Sequence, residues 1–247
     1  MHLEGQRVIV TRAAHQAGEL VAALKREGAR VELLPLIEIA PPNDPEPLER
    51  AATEIASYDW LVLTSPNAVA AFLPRLRQDA PRIAAVGPAT AAAVQAVLGT
   101  NVEMVVAPKS DAEGLVERLG SDLVPGVQVL VPQADDARPT LVDGLRNAGA
   151  VVTRVDAYSK RLPEDAAFRA AELFVERLAW VTFTSPRIAR HFFELLGNDW
   201  PARRHELRAV AIGRVTRRAL VEHGVEDVVM AAEPTPEAMV RAMLKAT

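Results

Sequence analysis

No cysteine occurs among the 247 residues, which excludes disulfides, thiolate nucleophiles, cysteine-ligated zinc and iron–sulfur centres together. Nor is there a basic excess: 28 lysines and arginines stand against 32 aspartates and glutamates. A general nucleic-acid binder needs such an excess, whereas a local basic pocket for an acidic small molecule does not. No apolar run approaches the roughly 18 residues of a bilayer span. The opening Met-His-Leu-Glu-Gly-Gln-Arg leads into a strand and lacks the apolar core of a secretory signal. A cytoplasmic protein without membrane or nucleic-acid partners is therefore expected. His2, His15, His191, His205 and His223 show no metal-ligand spacing. Gly-x-Gly-x-x-Gly, a Walker loop and a Gly-x-Ser-x-Gly elbow are all missing. Chemistry with no metal, no cofactor and no covalent nucleophile is expected. What the chain does have is apolar content, 49% of its residues, ample for buried cores at this length.

Self-comparison reads the chain as a repeat, and a repeat changes how every motif is read. Residues 5–42 match residues 126–163 without a gap at an offset of 121, pairing Gly5 with Gly126, Val10 with Val131, Leu24 with Leu145 and Gly28 with Gly149. A second unit follows each copy. Trp60-Leu-Val-Leu-Thr-Ser-Pro66 matches Trp180-Val-Thr-Phe-Thr-Ser-Pro186 at an offset of 120. After a six-residue insertion, Arg82-Ile-Ala-Ala-Val-Gly87 matches Arg208-Ala-Val-Ala-Ile-Gly213 at an offset of 126. The order is A1, B1, A2, B2, an internal duplication.

Each A unit reads as strand, helix, strand. Arg7–Thr11 is a short apolar run of the buried kind, Glu19–Leu24 has helical spacing stopped by Gly28, and Val31–Leu34 is the next strand. Each B unit alternates strands and helices, with strands at Trp60–Leu63, Ile83–Val86 and Val102–Val106. Such alternation predicts a parallel sheet covered on both faces. One A plus one B predicts a flavodoxin-like doubly wound α/β domain, and the chain holds two. The proline-rich stretches Ala40–Pro47 and Arg161–Asp165 are the expected linkers. Whether A1 folds with B1 or with B2 is open at this point.

Ligands of doubly wound sheets bind beyond the carboxyl ends of the strands. Thr11-Arg12 lies at one such end. Thr64-Ser65-Pro66-Asn67 and Thr184-Ser185-Pro186-Arg187 end strands and open helices. Serine followed by proline predicts an N-cap with proline at the first helical position, and free amides beside a hydroxyl favour anions. The turns from Gly87 to Thr90 and from Gly213 to Thr216 are of the same kind, and glycine there lets a ligand approach the backbone. Arg214 and Arg217 add positive charge at these loop tips, and Lys109 and Lys160 are candidates of the same sort. Positions that differ between the copies point to function. Tyr158 stands where the first copy has Ile37 (37 + 121), so its phenol is a candidate for function, the alternative being an ordinary amphipathic tyrosine at the domain rim.

These residues resemble the uroporphyrinogen-III synthase family. The likeness runs through the opening Val-Thr-Arg strand, Leu-Thr-Ser-Pro-Asn-Ala-Val69, Val-Gly-Pro-Ala-Thr90, Asp-Ala-Tyr158, Phe-Thr-Ser-Pro186, Ile-Gly-Arg-Val-Thr-Arg-Arg-Ala-Leu220 and Pro-Thr-Pro-Glu-Ala238. It implies two flavodoxin-like domains in the crossed arrangement, roughly 1–38 with 166–247 and 41–161, joined by a two-stranded linker at about 39–42 and 160–166. It places the active site in the cleft between the domains. Tyr158, Thr216, Ser65 and Ser185 fall on family site positions. Val215 stands where many members have a second threonine, which shifts weight to the backbone of that turn.

The implied reaction cyclises hydroxymethylbilane, a linear tetrapyrrole with eight carboxylates, inverting its terminal ring and losing water. Substrate binding is assigned to Arg12, Ser65, Asn67, Gly87, Thr90, Lys109, Ser185, Arg187, Gly213, Arg214, Thr216 and Arg217. Tyr158 is assigned the catalytic role of donor to the departing hydroxyl, and Tyr158→Phe is expected to slow turnover with little change in stability. The expected protein is a monomer. The rival reading is a non-catalytic, two-lobed binder or regulator of a small ligand, which would turn over no hydroxymethylbilane and need no unique tyrosine. A nucleotide-dependent transferase lacks the phosphate loop it requires.

Overall fold

The computed structural model describes residues 3–99, 104–107 and 112–246. Among these the chain runs β1 (Arg7–Val10), α1 (Gly18–Arg26), β2 (Arg30–Leu33), β3 (Glu38–Ala40), α2 (Glu46–Thr53), β4 (Trp60–Leu63), α3 (Pro66–Phe72), β5 (Arg82–Ala85), α4 (Pro88–Leu98), β6 (Met104–Val106) and α5 (Ala112–Leu119). It continues through β7 (Gln128–Ala134), α6 (Thr140–Asn147), β8 (Val151–Arg161), α7 (Ala166–Leu173), β9 (Ala179–Phe183), α8 (Pro186–Leu196), α9 (Trp200–Arg203), β10 (Leu207–Ala211), α10 (Arg214–Glu222), β11 (Asp227–Met230) and α11 (Pro236–Ala246). Short 3₁₀ turns fill several junctions. Residues 102 and 103 of the strand expected at Val102–Val106, and Lys109, lie outside the described residues.

The chain forms two compact units, residues 1–38 with 161–247 and residues 39–160. In the first, five strands lie in the order β11-β10-β9-β1-β2, and every pairing is parallel. Numbered from β1, that is the 2-1-3-4-5 order of flavodoxin-like sheets. In the second, β8-β7-β4-β5-β6 gives the same order numbered from β7, and β3 is added along the free edge of β8. Parallel strands need both faces covered, and both units satisfy this. In the first, Val181 and Phe183 of β9 face Ile188, Phe192 and Leu220, while Trp180 faces Leu20, Leu24, Met239 and Met243. In the second, Leu61 and Leu63 of β4 face Leu48, Val69 and Phe72, while Trp60 and Val62 face Leu115, Leu119, Leu141 and Leu145.

Local chemistry accounts for the boundaries. Leu20, Ala23 and Leu24 give α1 one buried stripe. Gly28, at φ +84°, ends that turn, and a Cβ there would come within 2.8 Å of the Glu4 side chain and 3.1 Å of its Cα. The proline-rich stretch after β3 is only partly a linker: Glu46 and Pro47 open α2, because proline is compatible with a first helical turn. The other departure is β8. It extends for eleven residues where its counterpart β2 has four, so Tyr158 sits within a strand.

The segment between α7 and β9 sends Phe174 and Leu178 into the core and is also fastened electrostatically. Arg203 donates to the carbonyls of Phe174 and Glu176 and to Glu206. Glu206 in turn accepts the Leu178 N–H at 3.2 Å. The Arg203 hydrogen bond, helped by that amide and opposed by burial, holds the Glu206 carboxyl below its ordinary value of 4.5. A depressed carboxylate stabilises the fold above its unfolded value and loses that contribution as pH falls through the native one. Glu206→Gln is therefore expected to lower stability at neutral pH by about 1 kcal/mol. Urea midpoints measured from neutral to acid pH should converge with wild type below 4.5; a gap independent of pH would refute the assignment.

Candidate functional site

The carboxyl ends of the central strands carry most of the polar residues singled out from sequence. In the second unit, β7, β4 and β5 are neighbours, and the order reverses between β7 and β4, the kind of point where doubly wound folds take ligands. Ser65 follows β4 in extended backbone and caps α3, its Oγ accepting the Ala68 N–H at 3.1 Å. Asn67 is half-buried in the first turn of that helix. Across the switch, a bulge between Gln133 and Ala134 sets Tyr158 of β8 against Ala134. The ring is 5% exposed and packs in the core beside Phe72 and Leu63. Its Oη lies 3.1 Å from Ser65 Oγ, and Lys160 Nζ stands 6.0 Å from its ring centroid. The structure thus brings together two of the sequence candidates, the phenol and one serine.

Gly87 and Thr90 form the next turn along. Gly87 has φ +86°, where a side chain would be strained. Thr90 is buried, and its hydroxyl donates to Val86 O at 3.0 Å. Both residues have structural work that accounts for their type.

In the first unit, β10, β9 and β1 are adjacent, so Arg12, Ser185 and Gly213 follow neighbouring strands. Arg12 is half-buried, its Nε donating to Gln16 at 3.3 Å. Ser185 caps α8 as Ser65 caps α3, accepting the Ile188 N–H at 3.2 Å. Arg187 is half-buried in the first turn of α8, Thr216 is buried, and Arg214 and Arg217 are exposed on α10. Gly213 differs from Gly87. Its backbone is fully extended at φ −177°, and a Cβ there would meet nothing within 4 Å. Neither conformation nor packing calls for glycine at this position.

Two residues were missed from sequence. Gln133, near the end of β7, is 2% exposed and its Nε2 has no partner among the described residues; Asp135 Oδ1, two residues on, is likewise buried without one there. A buried polar atom is costly unless it meets a hydrogen-bond partner, ordered water included. A signal was available in the sequence, since at the offset of 121 Gln133 falls opposite Arg12 (12 + 121), near the end of a strand whose middle is apolar. Among the described residues, no group of histidine, aspartate and glutamate could hold a metal ion, and no helix is long and apolar enough to cross a membrane.

Residues 18–241 match the family model described as uroporphyrinogen-III synthase HemD. The chain is 37% identical over 232 residues to the uroporphyrinogen-III synthase of Synechococcus elongatus, covering 87% of this chain and 85% of that one. It is 24% identical to the uroporphyrinogen-III synthase of Escherichia coli, over 96% of this chain and 99% of that protein. The crystal structure of the uroporphyrinogen-III synthetase from Helicobacter pylori superposes with a TM-score of 0.68 at 18% identity, covering 98% of this chain and 100% of that one. A Thermus thermophilus uroporphyrinogen III synthase mutant gives 0.64 at 18% identity, covering 98% of each chain. The two structural likenesses speak to the fold.

Proposed function

The chain belongs to the uroporphyrinogen-III synthase family, and from that membership we propose that it closes the linear tetrapyrrole hydroxymethylbilane into a macrocycle, inverting the terminal ring and losing water. Departure of the terminal hydroxyl leaves an azafulvene. The substituted carbon of the far ring attacks it to give a spiro intermediate, which fragments and recloses with that ring reversed. Closure without the protein occurs without inversion. The protein's task is then to hold one conformation of a flexible chain, and orientation of this kind is worth several kcal/mol of barrier.

The observation that carries the reading is the phenol of Tyr158, 3.1 Å from Ser65 Oγ beside the switch point of the second unit. Tyr158 supplies a proton to the departing hydroxyl. Eight carboxylates require cations, and Arg12, Arg187, Arg214 and Arg217 follow strand ends or open helices in the first unit. Guanidinium groups bind carboxylates through paired N–H donors. The unexplained glycine at 213 fits backbone amides that meet the substrate directly. Ser185 and Thr216 of the first unit and Asn67, Gly87 and Thr90 of the second complete the assignment, and Lys109 belongs to it by sequence alone. The protein acts as a cytoplasmic monomer on a small molecule, without nucleic acid.

The test is to supply hydroxymethylbilane and separate the oxidised products by isomer. The expected result is the type III isomer in excess over the type I isomer formed in a protein-free control. The same isomer mixture with and without protein would favour a binder that does no chemistry.

A further inference from the structure

Ser65 is engaged twice, and the two contacts restrict each other. Its Oγ accepts the Ala68 N–H at 3.1 Å and lies 3.1 Å from Tyr158 Oη. A serine hydroxyl has one proton and two lone pairs, and a phenol has one proton. If Tyr158 donated to Ser65, its only proton would be committed within the protein and none would remain for a leaving group. If Ser65 donates to Tyr158, the phenol proton stays free, and the Ser65 bond strengthens as negative charge grows on Oη during transfer.

We propose that Ser65 is a positioning residue that acts through Tyr158, donating to its Oη so that the phenol presents its proton to the departing hydroxyl. This rests on the reading of Tyr158 as proton donor given above, and it removes Ser65 from the set of direct substrate contacts. The step balances. The carbon–oxygen bond breaks with its electron pair on oxygen, the phenol proton joins that oxygen, and water leaves. The proton shed when the macrocycle regains its aromatic pyrroles restores the phenol. Ser185 gives an internal contrast. It caps its helix with nearly the same backbone angles (φ −160°, ψ 159°, against φ −163°, ψ 159° at Ser65), yet the residue equivalent to Tyr158 in that unit is Ile37. The cap is common to both units, and the phenol belongs to one.

The cap and the donated proton can be separated by substitution. Ser65→Ala removes both, Ser65→Asp keeps an acceptor for Ala68 but has no proton to give, and Ser65→Thr keeps both. With hydroxymethylbilane as substrate, Ala and Asp are expected to lower kcat by about tenfold, the loss of one hydrogen bond made in the transition state, with little change in KM. Thr should recover most of the rate. In a Tyr158→Phe background, Ser65→Ala should lower kcat no further, because two residues that act as one unit are not additive. A spectroscopic reading is independent of turnover. The chain has two tyrosines, Tyr58 and Tyr158, so Tyr58→Phe leaves one. The Raman doublet of that tyrosine, which distinguishes an accepting from a donating phenol, should show an acceptor that is lost in Ser65→Ala.

A Ser65→Asp protein with wild-type kcat would overturn the proposal, as would a doublet showing Tyr158 as donor to Ser65. Equal slowing by Ser65→Ala with and without Tyr158 would overturn it too, and would put the serine on the substrate. If Tyr158→Phe alone were fully active, the proton-donor reading would fall and the relay with it. A slow Tyr158→Phe beside a fast Ser65→Asp would remove the relay only.

Discussion

Tyr158→Phe should form the type III isomer about 100-fold more slowly at saturating hydroxymethylbilane, the lower end of what a positioned proton donor contributes. KM should change little, since the lost interaction is made chiefly as the carbon–oxygen bond breaks. The isomer ratio is a second readout. As the catalysed path slows, a larger share of substrate closes unaided, and the type I fraction rises in step with the fall in kcat. The sequence alone suggested that this substitution would hardly affect stability. The structure changes that expectation, because the ring is 5% exposed and its hydroxyl is bonded to the cap of α3. Phenylalanine keeps the packing but leaves Ser65 one partner short, at a cost of about 1 kcal/mol. Thermal melts and kinetics on the same preparation would separate the two effects. A variant with wild-type kcat would remove the phenol from the mechanism.

How far the sequence could be read depended on what each residue answers to. The alternation of apolar strands with amphipathic helices led directly to doubly wound parallel sheets, because burial on both faces leaves no other pattern. The serine caps were equally legible, since Ser-Pro has one good use at a helix start. The roles of paired positions were not. Gly87 and Gly213 look alike in sequence, yet one is held at positive φ and the other is extended with open space beside it. Thr90 closes its own turn by bonding Val86 O, a contact no spacing rule reveals. Comparing residues at the offset of 121 singles out Tyr158 as unlike Ile37 and puts it just before a linker; the length of β8 and its bulge against β7, which aim the ring at Ser65, are set by tertiary pairing. Gln133 carries no such signal by itself, because one of two amides in a mostly apolar strand reads as filler until its burial is seen.

Phe192→Ala should destabilise the protein by about 3–5 kcal/mol, the usual cost of deleting a fully buried ring, against a total that for most proteins is only about 5–15 kcal/mol. The distribution of aromatics explains the size of the effect. Five of the six phenylalanines, Phe168, Phe174, Phe183, Phe192 and Phe193, belong to the first unit. Phe192 has no exposed surface, and its ring centroid lies 5.5 Å from that of Phe174, 5.2 Å from Phe183 and 5.5 Å from Phe193, all in edge-to-face contact. Such pairs add about 0.5–1.5 kcal/mol beyond area burial, so truncation removes several contacts at once and leaves a cavity that rigid neighbours cannot fill. Phe168, on the preceding helix, is the control. It is 68% exposed, and Phe168→Ala should change stability by no more than about 0.5 kcal/mol. Urea unfolding of both variants tests the pair together: similar midpoints would mean that this cluster does not carry the first unit. The contrast bears on function as well, since α8 runs from the Ser185 cap through Phe192. A cavity in the middle of that helix loosens the element that presents Ser185 and Arg187, so Phe192→Ala should raise KM for hydroxymethylbilane even at temperatures where the variant remains folded.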